Sequence, residues 1–135
     1  MPEAKKHLSQ AAHNQRVAPQ LEEPAPDWAV TVYYYVAAHV VRAYLSRKGK
    51  PFGSHKSVKK SLNDLVNDGD LDETAVEAYL RLRDKSFTAR YHCPSVEDMV
   101  DELPEAKQLL KSLVAHFAQK LPELQEYPEL AQYLS

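Results

Sequence analysis

The chain has one cysteine and three glycines among its 135 residues. Cys93 alone forms no internal bridge, so no disulfide staples the fold, and a solitary thiol fits a reducing compartment. The glycines stand at positions 49, 53 and 69, where helical periodicity fails, and none belongs to a glycine-rich loop of the kind that cradles a phosphate. No apolar run reaches the ~20 residues needed to span a bilayer. The start, Met1-Pro-Glu-Ala-Lys-Lys6, lacks the apolar stretch of a secretory signal. The expectation is a cytoplasmic protein with no membrane attachment. Zinc-type Cys/His spacing is missing, and none of the six histidines forms a His-x-x-x-His pair. No metal and no cofactor is therefore expected. Acidic pairs such as Glu22/Glu23 and Asp101/Glu102 are adjacent in sequence, point in different directions, and carry no paired-carboxylate chemistry.

The length is that of one domain, enough to bury about two thirds of the unfolded surface without metal or disulfide support. The net charge of −2 hides a polarity. Residues 1–60 carry ten Lys/Arg against four Asp/Glu, and residues 61–135 carry seven against fifteen. Halves of opposite sign attract one another within a chain or between subunits, and the basic half offers a face to a polyanion.

Period-two alternation of β-branched residues is sustained nowhere, and helix formers fill the chain, so the fold class is all-α. The spacing predicts a first helix from Glu3 to Ala18, with Leu8, Ala11, Ala12 and Gln15 on one side. Pro19, Pro24 and Pro26 break it, and Asp27 is a candidate cap for a second helix, Trp28 to Lys48. Apolar over most of its circumference, that helix belongs at the centre of a bundle. Ser54 caps a short third helix, His55 to Val66. A fourth spans Asp72 to His92, with Ala75, Ala78, Tyr79, Leu82, Ser86 and Ala89 as its core stripe. Ser95-Val-Glu-Asp98 resembles a capping box, and Pro104 predicts a kink or a fresh start in the helix that follows. Ala106, Leu110, Leu113, Phe117 and Leu121 continue one stripe. The expected organisation is an up-and-down antiparallel bundle of four to five helices over residues 1–121. Residues 122–135 form an extension, either a packed short helix or an arm toward a partner.

Two polar rows interrupt these apolar patterns. Tyr35, His39 and Arg42 share a stripe on the second helix at spacings of four and three. On the fourth, Tyr79, Arg83, Ser86 and Arg90 run beside the core, where packing alone would prefer Leu or Ala. Buried or half-buried polar groups need partners, so each row faces another helix, an interface or a ligand. Paired with imidazole, the planar guanidinium fork suits a phosphate. The loop and short helix from Arg47 to Lys60 add Arg47, Lys48, Lys50, His55, Lys56, Lys59 and Lys60, with Phe52 as a stacking face. A solvated loop and ordinary inter-helix pairing remain open alternatives for these groups.

Three stretches together resemble the HEPN domain family. They are Asp27-Trp-Ala-Val-Thr-Val-Tyr-Tyr-Tyr-Val-Ala-Ala-His-Val-Val-Arg-Ala-Tyr-Leu45, then Gly53-Ser-His55, then Tyr79-Leu-Arg-Leu-Arg-Asp-Lys-Ser-Phe-Thr-Ala-Arg-Tyr91. The resemblance covers residues 5–120. It implies a helical bundle that commonly dimerises, and an association with RNA binding, RNA cleavage and partnership with small nucleotidyltransferases in toxin–antitoxin pairs. Nuclease members carry an Arg-x4-6-His motif near the dimer cleft and use no metal. Here Arg47 and His55 enclose seven residues, Arg83 and His92 eight, and Arg90 and His92 one. That catalytic pair does not carry over, and no catalytic residue is assigned.

The resulting expectation is a non-enzymatic, homodimeric module that binds a partner protein, a nucleotide or RNA. Its candidate binding residues are Tyr35, His39, Arg42, His55, Tyr79, Arg83, Ser86 and Arg90. Two alternatives stand beside it. One is a metal-independent ribonuclease or toxin component, with His39 or His55 as acid–base and Arg42 or Arg90 as phosphate stabiliser. The other is a structural or regulatory subunit that docks through its tail.

Overall fold

A computed structural model describes residues 2–134. Its helices are α1 (Pro2–Leu21), α2 (Pro26–Arg47), α3 (His55–Asn67), α4 (Glu73–Tyr91), α5 (Val96–Ala118) and a short α6 (Pro128–Ala131). Single 3-10 turns at Pro122–Glu126 and Gln132–Leu134 flank α6. No strand occurs among the described residues.

Fifteen of the 22 residues of α2 are buried, including Thr31 and Ser46 on its polar side, so this helix is the axis of the molecule. It packs on α1, α4 and α5, and touches α3. The inward row of α1 is Ala4, Leu8, Ala11 and Ala18, all fully buried. Small side chains there let the axis of α1 approach α2 closely. Tyr33, Leu45, Tyr79, Leu82, Leu110, Leu113 and Phe117 fill the centre. Tyr33 and Tyr44, buried on α2, donate their hydroxyls to the carboxylates of Glu22 and Asp70. Lys107 and Lys48 complete those two pairs as ion bridges to Glu22 and Asp70.

Three boundaries differ from the sequence reading. Pro19 lies inside α1, which continues to Leu21. The proline there removes one donor and restricts only the turn before it, so one more turn closes around it. The residue capping α2 is Ala25, with Pro26 at the first helical position rather than Asp27 as cap. Proline at that position needs no intrahelical N–H and has its φ already set. Pro104 does not interrupt α5, a single helix from Val96 to Ala118. Its ring lies on an exposed face, while Leu103 and Ala106 beside it stay buried.

The α2–α3 connection sets up the candidate site. Gly49, at φ +68°, closes α2 in the left-handed region, and the Lys50 N–H reaches back to the Leu45 carbonyl. Ser54 then caps α3 in a reciprocal box with Ser57. The Ser61 hydroxyl donates to the Pro51 carbonyl at 2.7 Å, tying the loop to α3. Phe52 and His55 are thereby held against the bundle. The end of the chain folds back over α1 and α5, with Leu124 and Leu130 fully buried. Arg16 pairs with Glu129, Arg47 with Glu123, and the Tyr133 hydroxyl donates to Gln15.

Candidate functional site

The two polar rows lie along one another. Tyr35 of α2 accepts a hydrogen bond from Arg90 Nη1 of α4 at 3.2 Å. Seven residues later on α2, roughly 10 Å along the axis, Arg42 acts electrostatically on Tyr79, which precedes Arg90 on α4. The two helices therefore run in opposite directions, and the eight candidate residues sort into two groups.

The first group is Tyr35, Ser86 and Arg90, and it is closed on itself. Ser86 is fully buried, and its hydroxyl donates to the Arg83 carbonyl at 2.8 Å. Arg90 donates to the Ser86 carbonyl and hydroxyl, and its guanidinium lies over the rings of Tyr35 and Tyr91 at 5.8 and 5.2 Å from their centroids. Neutral acceptors and π faces satisfy this arginine.

The second group draws from four helices. His7 of α1 and His39 of α2 meet through their Nδ1 atoms at 2.9 Å, with ring centroids 5.2 Å apart. Phe52 places its ring edge-on to His7 at 5.4 Å. His55, opening α3, stacks beside Tyr79 of α4 at 6.2 Å, and the hydroxyls of Tyr79 and Tyr34 lie 3.4 Å apart. Arg42 acts electrostatically on all three histidines, and Arg83 acts on His55 and Tyr79.

What separates these two arginines from the others is the lack of a partner. Arg16, Arg47 and Arg81 pair with Glu129, Glu123 and Glu105. Arg42 and Arg83 are half-buried residues whose guanidiniums make neither an ion pair nor a hydrogen bond to any described residue. Their nitrogens are not among the buried unpartnered atoms, so water reaches them and they are free to meet a ligand.

The imidazoles register the uncompensated charge. Burial, then His7 beside it, then Arg42, push His39 from its ordinary 6.5 down to about 4. Burial also lowers His7, with Arg42 adding to the effect and Glu3 opposing it. His55 is lowered by burial and by Arg83, Lys59 and Arg42, against Asp84. Burial pushes the Tyr79 hydroxyl up, and its hydrogen bond with Tyr34 adds to that, while Arg42 and Arg83 oppose it. At neutral pH the cluster therefore holds two permanent positive charges and three neutral imidazoles. Two buried ring nitrogens, His7 Nε2 and His55 Nδ1, have no hydrogen-bond partner. No group of three or more His, Cys, Asp or Glu with metal-binding geometry occurs among the described residues.

His7 and the role of Phe52 beside it are not evident from the two polar rows. The available signal was positional: His7 interrupts the inward Ala4, Leu8, Ala11 row of α1 at a spacing that faces α2. Much of the basic loop is occupied elsewhere, since Arg47, Lys48 and Lys60 pair with Glu123, Asp70 and Asp64. Lys56 and Lys59 remain exposed beside His55.

The sequence model of the HEPN domain matches residues 4–116, most of the chain and all of the second cluster. No curated protein matches the chain. No described helix is long and apolar enough to cross a membrane.

Proposed function

We propose, for a chain that belongs to the HEPN domain family, that it is a non-enzymatic module binding the phosphate of a nucleotide or RNA. The binding groups are Arg42 and Arg83, with His39, His55 and Tyr79 around them. One observation supports this reading: two arginines on different helices, each residue half-buried, extend side chains that make no ion pair or hydrogen bond with any described residue, beside imidazoles whose protonation is disfavoured. Pairing Arg42 or Arg83 with a carboxylate would have been the simple structural solution, as it is for Arg81 and Glu105. Tyr35, Ser86 and Arg90 act as a brace that fixes the neighbouring stretch of α4.

The wider reading is an up-and-down bundle over residues 1–121 with a packed extension at 122–135. It acts as a cytoplasmic homodimer, with a small nucleotidyltransferase or another protein as partner. The missing Arg-x4-6-His spacing supports a binding role over ribonuclease or toxin chemistry.

The test is fluorescence anisotropy with labelled single-stranded and structured RNA and with labelled nucleotide, with and without chelator. Binding without cleavage, lost in Arg42→Gln, is the expected outcome. Chelator-resistant cleavage that disappears in His39→Ala or His55→Ala would replace this reading with the ribonuclease. No binding and no cleavage would leave a structural subunit.

A further inference from the structure

The charges of α3 stand in the order that its own dipole disfavours. The positive end of a helix dipole lies at the N-terminus, so acidic groups are favoured in the first turn and basic groups in the last. α3 has no acidic residue in its first turn and no basic residue in its last. Lys56 stands in the first turn, Lys59 and Lys60 follow, and Asp68 is the C-cap. Lys60 meets Asp64 of the same helix at 3.4 Å. Lys56 and Lys59 are exposed and make no ion pair with any described residue.

The far end of α3 borders an open groove of about 410 Å³ against α4. Val66 of α3 and Val76 and Leu80 of α4 give it an apolar lining, and Glu73 and Glu77 of α4 stand beside them. Both glutamates are exposed and pair with no described residue. Lys56, Lys59, Asn63 and Val66 follow one another at spacings of three, four and three, so they share one face of α3. Asn63 and Val66 line the groove. The two lysines lie on that face roughly 10–15 Å nearer the N-terminus than Val66, so they stop short of the groove of their own chain.

A second α3 laid antiparallel on the first reverses one order of charges against the other. Lys56 and Lys59 of each copy then lie over the groove of the other, beside Glu73 and Glu77. The contact repeats itself about a two-fold axis near the middle of α3, as a closed dimer requires. A lysine stem covers apolar surface while its ammonium reaches a charge at the edge. Val66, Val76 and Leu80 offer that surface, and the two glutamates offer that edge. A parallel copy would set lysine against lysine, so charge selects the antiparallel order.

We propose that two copies of this chain meet along α3, paired antiparallel, with Lys56 and Lys59 of each copy bridging to Glu73 and Glu77 of the other across the α3–α4 groove. This rests on the homodimer proposed above and goes beyond it by assigning the interface and the charges that direct it.

Sedimentation equilibrium on the whole chain tests the assignment, at about 50 mM and about 0.5 M salt. The wild-type chain is expected to dimerise at the lower salt, and the higher salt weakens the dimer roughly tenfold because the pairs are exposed. Reversing one side, in Lys56→Glu/Lys59→Glu or in Glu73→Lys/Glu77→Lys, weakens it at least about tenfold at the lower salt. Glu77→Lys alone, beyond the first turn of α4, serves as a second variant should Glu73→Lys disturb the start of that helix. An equimolar mixture of the two reversed chains associates at least about tenfold more tightly than either alone, because its lysine–glutamate contacts again join opposite charges. A dimer unmoved by either reversal keeps the homodimer and overturns this interface. Loss of the dimer in both reversed chains without recovery in the mixture overturns it as well. A wild-type chain that is monomeric at both salts leaves the groove to a cationic segment of another protein, and both this inference and the homodimer fall.

Discussion

At the scale of single residues, the candidate site is governed by one charge that three histidines feel in common. Arg42 depresses His7, His39 and His55, whereas Arg83 acts on His55 and not on the His7–His39 pair. Arg42→Gln should therefore raise the titration midpoints of all three imidazoles, and Arg83→Gln that of His55 alone, as followed by histidine-selective NMR. Equal shifts in both variants would place the two guanidiniums differently from this structure.

His39 also links folding to pH. Its pKa falls from 6.5 to about 4 on folding, so the unfolded chain takes the proton first. Its contribution is fully present above pH 6.5 and is lost as pH falls toward 4. Allowing for screening of a partly exposed ring, it is about 1 kcal/mol. His39→Gln should flatten the acid limb of a stability–pH curve in that window and leave the alkaline side unchanged. His39 and Arg42 could be read from sequence because they break the apolar circumference of α2. For His7 the spacing on α1 points only to the inward side, and a lone histidine there does not identify a partner 32 residues away.

At the scale of elements, long periodic stripes were legible and proline was not. The inward residues of α4 and α5 follow directly from their spacing, including the buried Ser86. Pro19 was expected to break its helix and Pro104 to kink or restart the one it lies in, yet α1 and α5 run through both. Local propensity lost there to burial of the flanking residues, Ala18 in one case and Leu103 and Ala106 in the other. Tertiary packing of an apolar face outweighs one missing hydrogen bond. The chain after Pro122 had two open readings, and the structure seats it against α1 and α5. Its anchor is apolar rather than ionic. Leu130→Ala should destabilise by roughly 2–4 kcal/mol through the cavity it leaves. Arg16→Ala, which removes only the exposed partner of Glu129, should alter stability by less than about 1 kcal/mol. Chemical denaturation of the two variants checks the contrast, and a large effect of Arg16→Ala would mean that the ion pair holds the tail.

At the scale of the molecule, α2 serves both the core and the site. Its broad apolar face holds α1, α4 and α5 together, and its remaining stripe carries Tyr35, His39 and Arg42 to the seam with α4. The all-helical class was readable because nothing in the chain competes with the helical period. The convergence at the seam was not, because it depends on α1 and the α2–α3 loop closing over it from distant parts of the sequence. The two guanidiniums at that seam add no ion pair to the fold, which is why the proposed binding role is placed on them.

The central claim is that Arg42 and Arg83 bind phosphate through their placement rather than through net charge. It is tested most directly by comparing Arg42→Gln/Arg83→Gln with the equal-charge control Lys107→Gln/Lys111→Gln, in AMP and RNA binding at one salt concentration. The cluster variant should lose at least about tenfold in affinity, and the control should stay within about twofold. Equal losses in the two variants would show diffuse electrostatic attraction and contradict the account.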